Sequence, residues 1–197
     1  VAPSDAIGKS DAGLIMRCCA SDGLLLKPDA PAKVTDSSLV HRAFPENGAA
    51  GQLWTTTATV SGKTYSYVLG IEMQSAYKLS AEELGYAAHT ELVAVEANAT
   101  TVPLAFPLTV PVSDKSSFTV HTVAPVDGSG WALLGEPDKW VSVSPQRFKS
   151  VSFTPDGVAA RVHGVSGEYL TVRFRSPKGD IVSVNCEIAP ERHGAVV

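Results

Sequence analysis

Over residues 118–188 one pattern recurs: short runs rich in β-branched and aromatic residues, each closed by a turn signal. Residues 118–124 alternate, and the runs 148–153, 157–163, 169–175 and 181–188 follow. Thr154-Pro-Asp-Gly157, Gly164-Val-Ser-Gly167 and Ser176-Pro-Lys-Gly-Asp180 separate the last four. A period of two sends one side of each run to a core and the other to water. Short strands punctuated in this way make a mainly β chain, expected to pack as an antiparallel β-sandwich.

The same pattern begins earlier. Residues 53–60 and 64–71 read as two strands joined at Ser61-Gly62-Lys63, and residues 91–96 as another. Ser80 and Glu83 match a capping box, which predicts one helical turn over 80–84. Pro103, Pro107 and Pro111 exclude a central strand but permit edge pieces. Trp131-Ala-Leu-Leu-Gly-Glu-Pro-Asp-Lys-Trp140-Val-Ser-Val reads as strand, tight turn, strand, with both indoles near the bend. Two roles for Trp131 and Trp140 stay open: packing residues, or flat platforms for the apolar face of a sugar.

Residues 1–32 differ. A polar loop over 4–11 leads to a helix capped by Ser10 or Asp11, with Leu14, Ile15, Cys18 and Cys19 on its apolar side and Gly23 past its end. It is expected to be the chain's one substantial helix. A short strand over 24–27 then meets Pro28-Asp-Ala-Pro31. Residues 33–51 lack sustained periodicity and read as an extended connector. The expected division is therefore a loop-helix-strand segment (1–32), a connector (33–51) and a sandwich (52–197).

The net charge of −4 argues against a nucleic-acid partner. No apolar run reaches the ~20 residues of a membrane helix, so no membrane span is expected. The reading is of a soluble protein, with an intracellular or plastid setting favoured over secretion despite the sequon Asn98-Ala-Thr100. Because it starts at Val1 without a leader, the chain is expected to be a processed or excised piece. Adjacent Cys18 and Cys19 with distant Cys186 read as free thiols.

No Gly-x-Ser-x-Gly elbow, phosphate loop, His-Glu-x-x-His or Cys-x-x-Cys occurs, and neither metal nor cofactor is expected. The histidines at 41, 89, 121, 163 and 193 are scattered, and His121 reads as a solvent-facing sheet residue. Paired carboxylates could cleave a glycosidic bond. Asp5 and Asp11 share the opening loop, and Glu136 and Asp138 share a turn that reads as a solvated bend. None of the four is expected to be catalytic.

The opening carries one further signal. Ser4-Asp5-x-x-Gly8-Lys9-Ser10-Asp11-x-x-Leu14-Ile15, then Asp22-Gly23-x-Leu25-Leu26-Lys27-Pro28-Asp29, resembles the raffinose synthase and alkaline α-galactosidase group, the seed imbibition proteins. In that group such a segment follows the last strand of a catalytic (β/α)8 barrel, and a β-sandwich completes the chain. Val34-Thr35-Asp36 lacks the arginine of the family's Thr-Arg-Asp, and Ser10 stands where a histidine is usual. The resemblance implies that the catalytic carboxylates lie on barrel strands outside this sequence, and that Asp5 lines the rim of the sugar site. The expected function is the C-terminal part of a glycoside hydrolase or transglycosylase acting on α-galactosides, inactive alone, with the barrel as partner. The alternative, motivated by the three tryptophans at 54, 131 and 140, is a non-catalytic carbohydrate-binding or structural β-module in which Trp131 and Trp140 contact oligosaccharide. An adhesion-type sandwich is a third reading.

Overall fold

The computed structural model describes residues 9–97, 104–114, 116–189 and 194–196. Asp5, the Asn98 sequon, Pro103 and His193 lie outside the described residues. In chain order the helices are α1 (Ala12–Met16) and α2 (Asp36–Ala43). The strands begin with β1 (Lys33–Val34), β2 (Gln52–Val60), β3 (Lys63–Ile71), β4 (Tyr77–Leu79), β5 (Leu92–Glu96), β6 (Leu104–Ala105) and β7 (Leu108–Val110). They continue with β8 (Phe118–Pro125), β9 (Ala132–Gly135), β10 (Phe148–Thr154), β11 (Gly157–His163), β12 (Tyr169–Arg175), β13 (Ile181–Glu187) and β14 (Gly194–Val196). The chain is mainly β and every strand pair is antiparallel.

A six-stranded sheet, ordered β1-β2-β3-β8-β5-β6, forms the middle of the molecule. Its central hairpin turns through Ser61 (φ 51°) and Gly62 (φ 75°), the two positive-φ positions that match the twist of the flanking strands. Two three-stranded sheets, β13-β12-β9 and β10-β11-β14, share a core with one face, and the two-stranded β4-β7 sheet contributes to a core on the other. Sequence neighbours serve opposite cores. Ala58, Tyr65, Tyr67, Val93 and Ala124 join Leu133, Phe148, Val162, Val172 and Phe174. Leu53, Val68, Ala94 and Val123 join Met73, Leu79, Leu108 and Val110. Each buried Val, Leu, Phe or Met side chain contributes roughly 1.5–3 kcal/mol, and both faces of the sheet carry a core.

That arrangement corrects the reading of His121. Its side of β8 carries the second core, so the ring is buried at 2% exposure rather than facing solvent.

The opening helix is shorter than expected. Asp11 caps α1, its Oδ1 accepting from the Leu14 amide at 3.1 Å. Helix ends after Met16 because the following backbone bonds elsewhere: Leu26 N donates to Cys18 O (2.8 Å) and Ala20 N to Leu24 O (2.9 Å). The strand expected over 24–27 reduces to a single bridge between Cys19 and Leu25. All three cysteines are free thiols.

The stretch read as a connector holds the longer helix. Thr35 caps α2 by accepting from Ser38 N, and Ser38 Oγ accepts from Leu53 N at 2.9 Å. Ser37 and Ser38 are buried while Leu39, Val40 and Phe44 are exposed. The hydroxyl side lets the backbone come close; a Cβ on Gly48 would sit 2.2 Å from the Ser37 carbonyl oxygen. A helix that buries serines has no apolar stripe for sequence periodicity to detect. The capping box is present: Glu83 N donates to Ser80 Oγ (3.3 Å) and Ser80 N to Glu83 Oε1 (3.4 Å), opening a 3-10 turn over Glu82–Leu84.

The two-tryptophan hairpin is half formed. β9 follows Trp131, but the chain does not return as a strand, and β9 pairs with β12 instead. Beyond Gly135 (φ 80°) a compact loop begins, in which Glu136 N donates to Ser142 O at 2.9 Å. No helix among the described residues is long and apolar enough to cross a membrane.

Candidate functional site

Among the described residues, the buried Glu136 and Arg147 both lie in the loop between β9 and β10. Arg147 Nε donates to Glu136 Oε1 at 2.8 Å. Its two terminal nitrogens grip Glu168 in a fork, at 2.9 Å and 2.7 Å, and one also donates to the His163 carbonyl at 2.7 Å. Side-chain exposures of 1% for Arg147, 3% for Glu136 and 7% for Glu168 put the cluster out of water. Glu136 is thus an interior ion-pair member, not part of a solvated bend, whereas Asp138 is exposed and pairs loosely with Lys139 at 3.5 Å.

Burial pushes the Glu136 carboxyl up, and Arg147 offsets only part of this. Burial acts on Glu168 in the same direction, but the hydrogen bonds and charge of Arg147 outweigh it and hold that carboxyl below its usual range. Glu168 also accepts from Val165 N (3.2 Å) and Ser21 N (3.3 Å). Both Glu168 oxygens are taken by the guanidinium and backbone amides, and Glu136 Oε1 by Arg147 Nε, so the carboxylates are held as fasteners between chain segments.

An apolar cleft of about 390 Å³ opens where the six-stranded sheet runs beyond its cover, lined by Leu14, Trp54, Leu69, Phe118, Val120 and Trp140. The register of β2, β3 and β8 places Trp54, Leu69 and Val120 side by side on one face. Trp140 closes the cleft from the loop, its ring 5.7 Å from that of Phe118. Arg17 lies over the Trp140 ring with Cζ 3.5 Å from the centroid, a cation–π stack. Three bonds tie the same loop to the opening segment: Arg17 Nε to Asp138 O (3.0 Å), Trp140 N to Arg17 O (3.1 Å) and Lys139 Nζ to Met16 O (3.0 Å).

The expected site residues therefore part company. Trp140 lines the cleft, but Trp131 packs half-buried against the core of the small sheets with its indole nitrogen buried and unpartnered. Asp11 is a helix cap. Phe118, at the start of β8, also lines the cleft; the register with β3 that brings it there carries no local sequence signal. Among the described residues no cluster of His, Cys, Asp and Glu could hold a metal ion.

What the cleft offers is a set of ring faces and aliphatic walls with few polar groups. Trp54 Nε1 donates weakly to Gln52 Oε1 at 3.4 Å, and Thr56 Oγ1 donates to Ala30 O at 2.5 Å. No family model matches the chain, and no curated protein matches its sequence.

Proposed function

We propose that this chain is the C-terminal β-sandwich portion of a glycoside hydrolase or transglycosylase acting on α-galactosides, without catalytic residues of its own. One observation supports the reading. Leu14, Ile15, Met16, Leu24 and Leu25 are between 39% and 51% exposed although their segment is tied to the sandwich by several hydrogen bonds. Apolar side chains grouped on one tethered segment mark a surface that meets another body. A preceding barrel, as the sequence resemblance implies, fits that position. Hydrolysis of an aryl α-galactoside, compared between residues 1–197 and a longer chain that includes the barrel, tests this. Turnover is expected only in the longer chain; turnover by residues 1–197, or none in either, overturns the proposal.

A second reading rests on the cleft. Trp54, Phe118 and Trp140 present ring faces that suit the apolar side of a pyranose. Titration with galactosides while following tryptophan emission is expected to give saturable quenching that Trp140→Ala abolishes. An unchanged spectrum would remove sugar binding from this surface.

A further inference from the structure

A sheet edge exposes unpaired amides and carbonyls, and folded chains blunt such edges with shortness, lysine, proline or bulges. The six-stranded sheet ends in β1 and β6, each two residues long. β4, β7 and β14 have three residues each. β9 has four and carries a register shift against β12. β10 bears Lys149 and a register shift after Phe148, and its Val151 amide donates to Ser61 Oγ at 2.8 Å.

β13 has none of these devices. It is seven residues long, pairs with β12 without a shift, and holds neither proline nor a basic residue; its one charge is Glu187, at the end. Among the described residues no strand pairs with its outer side. Val182 there is 38% exposed.

We infer that β13 is a homotypic association edge, pairing antiparallel with β13 of a second copy about a two-fold axis. The strand's own sequence selects this occupant. Val182, Val184 and Cys186 lie opposite Phe174, Val172 and Leu170 of β12, whose side chains are buried in the core. With the axis at Val184, Val182 faces Cys186 of the second copy, and the apolar row runs unbroken from one β12 to the other. On the opposite face Ser183 meets Asn185, and Glu187 meets Ile181. No like charges oppose one another, the condition that destabilises cross-strand pairs. The join makes one continuous sheet from two three-stranded ones, closed by symmetry so that no further copy adds. One strand pair buries little area, so the dimer forms in a concentration-dependent way. The inference does not rest on the α-galactoside reading.

Sedimentation of the 197-residue chain from about 1 μM to about 1 mM, with hydrogen exchange at both ends of the series, tests it. The expected result is a rise to dimer mass, with amides of residues 181–187 gaining protection as concentration rises. Val182→Lys, folded by near-ultraviolet circular dichroism, is expected to stay monomeric. A monomer throughout overturns the inference. So does association in which protection appears over residues 14–25 or 39–44 instead, a result that needs no variant to interpret.

Discussion

The Tyr67 hydroxyl makes both hydrogen bonds of the Val143 peptide groups, donating to the carbonyl oxygen at 2.9 Å and accepting from the amide at 3.1 Å. A residue of the central sheet thereby does for a loop what a neighbouring strand would have done. The loop between β9 and β10 lies over the sheet without pairing to it, and this phenol takes the place of a ladder. Beside it the Thr122 and Ser142 hydroxyls bond at 2.9 Å. Burial drives the Tyr67 phenol well above its usual titration range, so it stays protonated and able to donate.

Tyr67→Phe leaves a buried amide and a buried carbonyl without partners. Each orphaned group costs about 1–3 kcal/mol. Urea unfolding is expected to show a loss of about 2–4 kcal/mol with the m-value unchanged. A loss within error of zero would mean that water or a loop shift replaces the hydroxyl.

Arg147→Met strands two interior carboxylates. Breaking a buried ion pair from one side costs about 3–5 kcal/mol, and that loss is expected near pH 7. Without the guanidinium both carboxyls titrate above their unfolded values, so the variant's deficit shrinks as the pH falls and they protonate. Wild type differs at Glu168, whose folded value is depressed: the stability it contributes is present above about pH 4.5 and is lost as pH falls through the lower, folded value. Unfolding curves of both proteins at pH 7 and pH 5, and of wild type also below about pH 4.5, check the two trends. Gly164→Ala should disturb the same cluster, because its Cβ would lie 2.3 Å from Glu168 Oε2 and 2.8 Å from an Arg147 terminal nitrogen.

His121 gives the chain a separate acid sensitivity. Burial lowers the imidazole to about 4, and Nδ1 has no hydrogen-bond partner. Between that value and about 6.5 the unfolded chain binds a proton that the folded one refuses. Stability is therefore full above about pH 6.5 and declines toward pH 4, by about 3 kcal/mol over the window. His121→Leu is expected to flatten that part of the pH profile. An unchanged slope would place the sensitivity elsewhere.

Trp140→Ala removes both the stack with Arg17 and one wall of the cleft. The cation–π contact alone is worth about 0.5–1 kcal/mol at a partly exposed site. Limited tryptic proteolysis after Arg17 should accelerate several-fold, while global unfolding changes less than for Tyr67→Phe. Equal rates in the two proteins would show that the bonds donated by Lys139 Nζ to Met16 O, by Arg17 Nε to Asp138 O and by Ser21 N to Glu168 Oε1 hold the opening segment without the indole.

Much of the architecture was legible because alternation reports a strand whatever surrounds it. β2, β3, β8 and the run from β10 to β13 appear within a residue or two of their sequence positions, and Ser61-Gly62 marks the hairpin. What alternation does not report is which sides face a core. His121 looked solvent-facing because a sandwich strand has a wet side, and here the second core occupies it. α2 was hidden because its inward residues are Ser37 and Ser38. Of the cleft, Trp140 could be singled out as a large aromatic near a turn, but its neighbours Trp54 and Phe118 come from strands far away in sequence. Only the register assembles them, and Trp131, the expected companion, faces elsewhere. Glu136 and Arg147 lie 11 residues apart, a spacing that carries no local signal of pairing.

Away from the cleft, packed side chains screen the six-stranded sheet from above and below, and its inner strands have no easy route to water there. β3 is flanked by β2 and β8 and supplies Tyr65 and Tyr67 to one core and Val68 to the other. Its amides should be the last in the molecule to take up deuterium, exchanging only when the whole chain opens, so their rate reads out global stability directly.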